Sequence, residues 1–135
     1  MKRTTTWLAV MVAAAATATV MAASPSSADT FPTSATATAS VGWAHFDAYT
    51  QVLSIYDAHP DGYGIAVVNN RSDLANPGPY YGWNRDGYGT TVYYDLHMPN
   101  LASIRFYVCP EQDGVILSYT GRCGTTAIGY AGVEI

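Results

Sequence analysis

Basic residues are scarce in this sequence. Six lysines and arginines stand against ten aspartates and glutamates among 135 residues, and Lys2 is the only lysine. After residue 28 the basic residues are four arginines, while all ten acidic residues lie there, which gives this part a net charge of −6. Such a surface repels phosphate backbones and anionic lipid heads. The charge balance therefore argues against nucleic acid as a partner.

Long apolar runs are also scarce. One occurs, at residues 7–23, directly after Lys2 and Arg3. A membrane-spanning helix needs about 20 strongly apolar residues, whereas this run is short and is diluted by threonines. Small residues, Ser26 and Ala28, occupy the −3 and −1 positions of a signal-peptide cleavage site. We therefore predict a signal peptide at residues 1–28, a secreted, extracellular protein, and no membrane segment after cleavage.

Cysteine occurs twice, as Cys109 and Cys123. An even pair in an exported chain predicts a disulfide. The bond would close a loop of about 15 residues and stabilise the fold by roughly 3 kcal/mol. The alternative, a metal-binding pair, lacks the short spacing that such ligands use.

A helical period is missing as well. Two stretches alternate with period two instead, and this pattern is typical of half-buried strands. In the clearer one, Ile104, Phe106 and Val108 share a face; in the other, residues 91–98, the shared face carries Val92, Tyr94, Leu96 and Met98. We predict an all-β fold, a small immunoglobulin- or fibronectin-like antiparallel β-sandwich of seven or eight strands. Residues 29–36 are expected to form a flexible tail and residues 37–135 the sandwich domain.

The segment Asp-Gly-Tyr-Gly occurs twice, at residues 61–64 and 86–89. In each copy the first glycine permits a positive φ and the second permits another unusual dihedral. The flanking sequences differ, so an internal repeat is not indicated. We interpret both copies as tight turns rather than a duplicated binding loop or a metal site. Each turn carries a tyrosine, Tyr63 or Tyr88, at a position where exposed rings make contacts.

Catalytic motifs are missing from the sequence. No G-x-S-x-G nucleophile elbow is present, and the three histidines, His45, His59 and His97, have no obvious catalytic partners. His45 with Asp47, and the group Asp57, His59 and Asp61, are faint hints of a metal, but calcium-loop spacing is absent. We expect no catalytic residues, no metal and no cofactor.

Aromatic residues, by contrast, are frequent, and they cluster. Of the eleven tyrosines all lie after residue 48. The segment at residues 79–89 combines aromatic rings with an arginine, and Tyr63 is a further exposed ring in our interpretation. These residues serve either as core packing or as a contact surface for a protein or a glycan. The candidate binding patch is Tyr63, Tyr80, Tyr81, Trp83, Arg85 and Tyr88.

Three segments, residues 46–68, 82–96 and 104–109, resemble the small exported β-sandwich proteins of actinobacteria. The shared features are the signal peptide, the F-D-x-Y stretch that starts at Phe46, the turn at Asp57, Asp61 and Gly62, and the strand that ends at Cys109. The resemblance implies the same sandwich fold. The chain departs from antibody domains because it lacks their Cys…Trp…Cys spacing.

Some sandwich proteins of this bacterial group act as adaptors in secreted umbrella-shaped toxin particles and donate an N-terminal strand to a larger subunit. By that resemblance, Thr36, Thr38 and Ser40 are a candidate edge or donor strand. We predict a secreted, non-enzymatic interaction module whose partner is an unknown secreted protein or an extracellular glycan. The alternatives are a toxin-particle adaptor, a carbohydrate-binding module and a small secreted hydrolase.

Overall fold

The structure, a computed structural model, describes residues 31–133. Two antiparallel sheets pack face to face, and this part of the chain contains no α-helix. The first sheet has the order β1 (Ala35–Ala39), β2 (Gly42–Phe46), β3 (Val52–Asp57) and β6 (Thr91–Asp95). The second contains β5 (Tyr80–Asn84), β4 (Gly64–Arg71), β7 (Ser103–Gln112) and β8 (Val115–Ile116) in that order, with β9 (Ala127–Tyr130) also paired to β7. A single 3-10 turn, Ser118–Thr120, precedes β9.

The predicted all-β sandwich class is confirmed, but the described residues form nine strands rather than seven or eight. The additional strand arises within residues 37–46, where apolar residues at alternate positions (Val41, Trp43) read as one continuous strand. Instead the chain reverses between Ala39 and Gly42, which pair with each other, and β1 and β2 form a hairpin. Val41 is consequently buried in the core, while Trp43 and His45 lie on the outer face of the first sheet.

The strand connections differ from those of the immunoglobulin sandwich. In that fold the second strand pairs with the fifth, whereas here β2 lies between β1 and β3 in a simple meander. The chain then changes sheet between β3 and β4, between β5 and β6, and between β6 and β7. The first two of these crossovers are the two Asp-Gly-Tyr-Gly segments.

The core lies between the sheets, where the alternating strand positions meet. The expected pattern in β7 is confirmed, since Ile104, Phe106 and Val108 are fully buried. Phe46 and Ile55 oppose them from the first sheet, also without exposed surface. Burying side chains of this size stabilises the fold by about 1.5–3 kcal/mol each. The two sheets are therefore held at the spacing of a filled sandwich core.

The predicted disulfide is also confirmed, because Cys109 and Cys123 are bonded. It joins β7 to the segment between the 3-10 turn and β9. Next to it, the Gly124 N–H donates to the Val108 carbonyl at 2.8 Å. The Gly124 backbone also approaches the Thr38 carbonyl so closely that a Cβ would collide with it. The disulfide segment therefore covers part of the edge of β1.

The N-terminal part of the described chain forms more backbone hydrogen bonds with the sheets than predicted. Residues 29–36 were expected to be a flexible tail, but β1 begins at Ala35, and Thr33 exchanges two backbone hydrogen bonds of 2.9 Å with Tyr130. The reason is that Ala37, 1% exposed, and its neighbours pack on the core. The predicted signal peptide at residues 1–28 lies outside the described residues. No helix within residues 31–133 has the length and apolar character needed to cross a membrane.

Candidate functional site

Each Asp-Gly-Tyr-Gly crossover starts from a buried side chain at the end of a strand. Asp57 ends β3 and Asn84 ends β5, and both are almost fully buried. Asp57 Oδ1 accepts the His59 N–H, and Asn84 Oδ1 accepts the Asp86 N–H, each at 3.1 Å. Short polar side chains that accept a backbone N–H two residues later favour a change of chain direction. The two crossovers therefore begin with equivalent geometry.

The glycines of the two segments are used differently. In the first crossover Gly62 has a φ of 78°, whereas Gly64 does not have a positive φ. In the second, Gly87 and Gly89 have φ values of 101° and 80°. The positive φ values agree with the predicted turns, and in the second segment the Thr90 N–H donates to the Gly87 carbonyl at 3.2 Å. The strands that these turns join lie in different sheets, so each turn is a crossover rather than a hairpin.

Hydrogen bonds join the second crossover to the end of β3. The Gly89 N–H donates to the Asp57 carbonyl at 2.8 Å, and the Asp57 N–H donates to the Thr90 carbonyl at 3.1 Å. The Asn84 amide donates to the carbonyls of Ile55 and Thr90, both at 2.9 Å. Asn84 and Asp57 thus hold the two crossovers side by side at one end of the sandwich.

A cleft of about 410 Å³ lies between these crossovers and the β7–β8 turn. Tyr63 and Tyr88 line it from the crossovers, and Asp113 lines it from the turn. Tyr88 is 62% exposed, so its ring stands at the rim. Mixed polar and aromatic linings of this kind are typical of recognition sites.

The wall of the cleft contains an ion pair between a buried carboxylate, Glu111, and a half-exposed arginine, Arg85. Glu111 is 3% exposed; its Oε1 accepts the Arg85 Nε–H at 3.1 Å, and its Oε2 accepts the Gly114 N–H at 2.9 Å. The carboxylate lies against Gly64, where a Cβ would collide with it. Gly64 is therefore required for this close approach rather than for its dihedral angles. The pair satisfies both charges and fixes Arg85 at the cleft.

Asp57 lines the floor of the cleft and is electrostatically different. It is 1% exposed, and its Oδ2 is buried without a hydrogen-bond partner among residues 31–133. Burial raises the pKa of Asp57 above its usual 3.8, although the His59 N–H opposes the shift. A buried polar oxygen without a partner costs about 1–3 kcal/mol. Asp57 is thus the unsatisfied group of this site.

The neighbouring carboxylate, Asp61, has the opposite balance. Burial again favours its neutral form, but the Arg122 guanidinium donates to Oδ2 at 2.7 Å and the Tyr63 N–H donates to Oδ1 at 3.0 Å. Together with His59 these donors hold the pKa of Asp61 below 3.8. Arg122 also lies over the Tyr63 ring, 5.8 Å from its centroid. The first crossover is therefore anchored to the disulfide segment.

A ladder of three side chains, Tyr81, Trp83 and Arg85, adjoins the cleft on the outer face of β5. The rings of Tyr81 and Trp83 stack with centroids 5.7 Å apart and an interplanar angle of 24°. The Arg85 guanidinium lies over the Trp83 ring at 4.5 Å from the centroid. Arg85 belongs to both features, because it also pairs with Glu111 in the cleft wall. We call this group the β5 ladder.

The backbone beneath the ladder is held by a residue of the other sheet. The Trp83 N–H donates to the Tyr94 hydroxyl at 2.9 Å, and that hydroxyl donates to the Trp83 carbonyl at 2.8 Å. Tyr94 lies in β6, so these two bonds connect the edges of the two sheets. They fix the position of the indole ring on β5.

The structure therefore brings together most of the candidate patch. Tyr63, Arg85 and Tyr88 line the cleft, and Tyr81 and Trp83 continue from Arg85 along β5. Tyr80 does not join them, since alternation places it on the other face of the strand, where its hydroxyl donates to the Asn76 carbonyl. Asn84 and Glu111 were not predicted. Each Asp-Gly-Tyr-Gly segment follows a strand that ends in an Asp or Asn, Asp57 or Asn84, and this shared pattern is the signal that could have identified Asn84.

The other predicted positions lie elsewhere. Thr36 and Thr38 are on the edge strand β1, with Ser40 in the turn that follows it. The histidines contact three different neighbours: Thr36 for His45, Asp61 for His59 and Asp95 for His97. Residues 31–133 contain no group of three or more histidine, cysteine or acidic side chains placed to hold a metal ion. Comparisons with protein families, curated proteins and solved structures find no match to this chain.

Proposed function

We propose that this protein is a secreted, non-enzymatic interaction module that binds another protein outside the cell through the β5 ladder and the adjoining cleft. The observation that carries the proposal is the continuous surface of Tyr81, Trp83 and Arg85, joined through Arg85 to a cleft with two further tyrosines at its wall and rim. Tyrosine, tryptophan and arginine are the residue types enriched at the energetic centres of protein interfaces.

A protein partner fits the ladder better than a glycan does. Sugars bind aromatic residues by stacking on a free ring face, but Trp83 lies between Tyr81 and Arg85 along one strand face and contacts both. Its ring faces are therefore used within the molecule. The exposed groups of the ladder include Tyr81, which is 47% exposed, and the Arg85 guanidinium. This set suits hydrogen bonds and packing against side chains.

Strand donation by the N-terminal segment is less well supported. The toxin-particle adaptor would need β1 to leave its own sheet, yet Ala37 is buried and β1 pairs with β2 over its whole length. Moving such a strand would expose core and break the hairpin. An adaptor role that uses the β5 ladder instead of β1 remains compatible with the proposal.

The test compares the protein with two single variants, each of which replaces a different exposed tyrosine. Tyr81→Ser alters the β5 ladder, and Tyr93→Ser, the control, removes an exposed ring on the other sheet, where Tyr93 is 69% exposed. Each protein, purified from culture supernatant, is immobilised and exposed to the supernatant proteins of its source. We expect a partner that the unaltered protein and Tyr93→Ser retain in equal amounts. Tyr81→Ser should retain at least about tenfold less of it, because a hot-spot residue of this type contributes about 2 kcal/mol or more.

Equal retention by all three proteins, or no retained protein at all, would contradict the proposal. Circular dichroism and thermal unfolding of each variant exclude loss of fold as the cause. A parallel retention assay on insoluble polysaccharides distinguishes the glycan alternative, since only a carbohydrate-binding module would be retained there and lose retention in Tyr81→Ser. N-terminal sequencing of the supernatant protein checks the predicted cleavage before Asp29.

A further inference from the structure

Asp57, one of the residues that line the cleft, has a carboxylate oxygen without a hydrogen-bond partner in the described part of the chain. Asp57 Oδ1 is used by the His59 N–H, but Oδ2 has no partner within residues 31–133. An ionised carboxylate in a buried position is stable only when it is paired or hydrogen-bonded. A ligand that brings a donor or a positive charge to Oδ2 would therefore gain more there than at an exposed carboxylate.

The charges around the cleft favour a cation. Glu111 is neutralised by its ion pair with Arg85, which leaves Asp57 and Asp113 as the uncompensated acidic groups in the lining. His59 also lines the cleft, but it lies beside Asp61, 3.6 Å from Oδ2. The exposed ring of Tyr88 adds a surface that attracts a cation, whereas the Tyr63 ring already has the Arg122 guanidinium over it.

We propose that this cleft binds the primary ammonium group of a lysine side chain presented by the partner protein, with Asp57 as its counterion. The inference rests on the proposed function, because it assigns the partner chemistry of the same surface. One free carboxylate oxygen matches a compact ammonium group better than it matches a guanidinium, which binds carboxylates through two parallel hydrogen bonds. A metal ion is not favoured, as no three suitable ligands lie together in the described part of the chain.

The partner is a different protein rather than a second copy of this chain. Lys2 is the only lysine in the sequence, and it lies in the predicted signal peptide. A mature copy therefore carries no lysine side chain to offer. The net charge of −6 after residue 28 also repels a second copy and attracts a lysine-bearing partner.

The experiment is an NMR titration of the full mature protein with blocked pentapeptides that differ in one central residue. Lysine is compared with 6-hydroxynorleucine, which is a neutral donor of similar length, with norleucine and with arginine. We expect the lysine peptide to shift the amide signals of His59, Gly87 and Gln112 saturably. The norleucine and hydroxynorleucine peptides should bind at least about tenfold more weakly, because they bring no charged partner to Asp57. Asp57→Asn should reduce the lysine affinity by a similar factor, whereas Asp95→Asn, on the far strand β6, should leave it unchanged.

Equal binding of the lysine and hydroxynorleucine peptides would overturn the inference, and so would unchanged lysine affinity in Asp57→Asn. Tighter binding of the arginine peptide would do the same. Saturable shifts with glucosamine oligomers but not with lysine peptides would assign the cleft to an amino sugar and likewise overturn it. The failures are distinguishable: loss of the lysine effect leaves the Tyr81→Ser retention result standing, and equal retention by Tyr81→Ser leaves the peptide titration standing.

Discussion

Replacing Asn84 by alanine tests the claim that the two crossovers are held together by one buried side chain. Asn84 has no exposed surface, and its amide makes four hydrogen bonds, two as donor and two as acceptor. Two of the four partners keep another bond after truncation: the Thr90 carbonyl still accepts the Asp57 N–H, and the Thr90 hydroxyl still donates to Gly87. The other two bonds lost are those to the Ile55 carbonyl and the Asp86 N–H.

These losses set the expected cost. Each net hydrogen bond contributes about 1 kcal/mol, and the cavity left by the amide adds about 1 kcal/mol at about 24 cal/mol per Å³. The free energy of unfolding should therefore fall by about 3 kcal/mol, a large fraction of the 5–15 kcal/mol typical of a domain. Urea unfolding followed by tryptophan fluorescence measures it, because Trp83 is the adjacent residue.

Asn69→Ala is the matched control. Asn69 is also buried, in the neighbouring strand β4, but its amide makes a single bond of 3.1 Å to the Tyr80 carbonyl. It should cost about 1–2 kcal/mol. If Asn84→Ala is no more destabilising than Asn69→Ala, the crossovers are held by their backbone alone and our reasoning about Asn84 is refuted.

Two further predictions concern Asp57 and β1. Burial raises the pKa of Asp57, so the folded state binds its proton more tightly than the unfolded state, and this residue lowers stability as pH rises above 3.8. Urea unfolding at several pH values should show that Asp57→Asn has a higher free energy of unfolding than the unaltered protein, by a difference that grows above that pH and is absent below it. A constant difference would contradict the assignment. A chain that starts at residue 41 lacks the buried Ala37 together with all of β1. Its melting temperature should be lower by more than about 10 °C. An unchanged melting temperature would show that the core does not need β1, and it would support strand donation.

The sequence predicted those features that depend on neighbouring residues. The alternation of Ile104, Phe106 and Val108 fixes which face of β7 is buried, whatever that strand pairs with. The cysteine pair predicts its bond because only one pairing exists. The hairpin at Ala39–Gly42 was missed because small residues on both sides of the reversal continue the strand pattern, with no strong turn signal between them.

The site depends on long-range placement, which local patterns do not encode. Nothing in either Asp-Gly-Tyr-Gly segment tells whether the next strand returns to the same sheet or crosses to the other. Only the crossing brings Tyr63 beside Tyr88 and both beside Glu111, which lies far along the chain in β7. Tyr80 was grouped with Tyr81 by adjacency, whereas strand alternation sends the two rings to opposite faces.

The Tyr94 hydroxyl donates one hydrogen bond to the backbone of Trp83 and accepts another from it. These two bonds also restrict how the molecule can associate. An uncapped sheet border can serve as a template on which further chains stack into fibres. Here a foreign strand would first have to displace a hydroxyl that is already doubly engaged. At the edge formed by β1, the Gly124 backbone lies against the Thr38 carbonyl and blocks the pairing of a foreign strand there. These two contacts disfavour strand addition at the edges they cover, so recognition there is left to side chains.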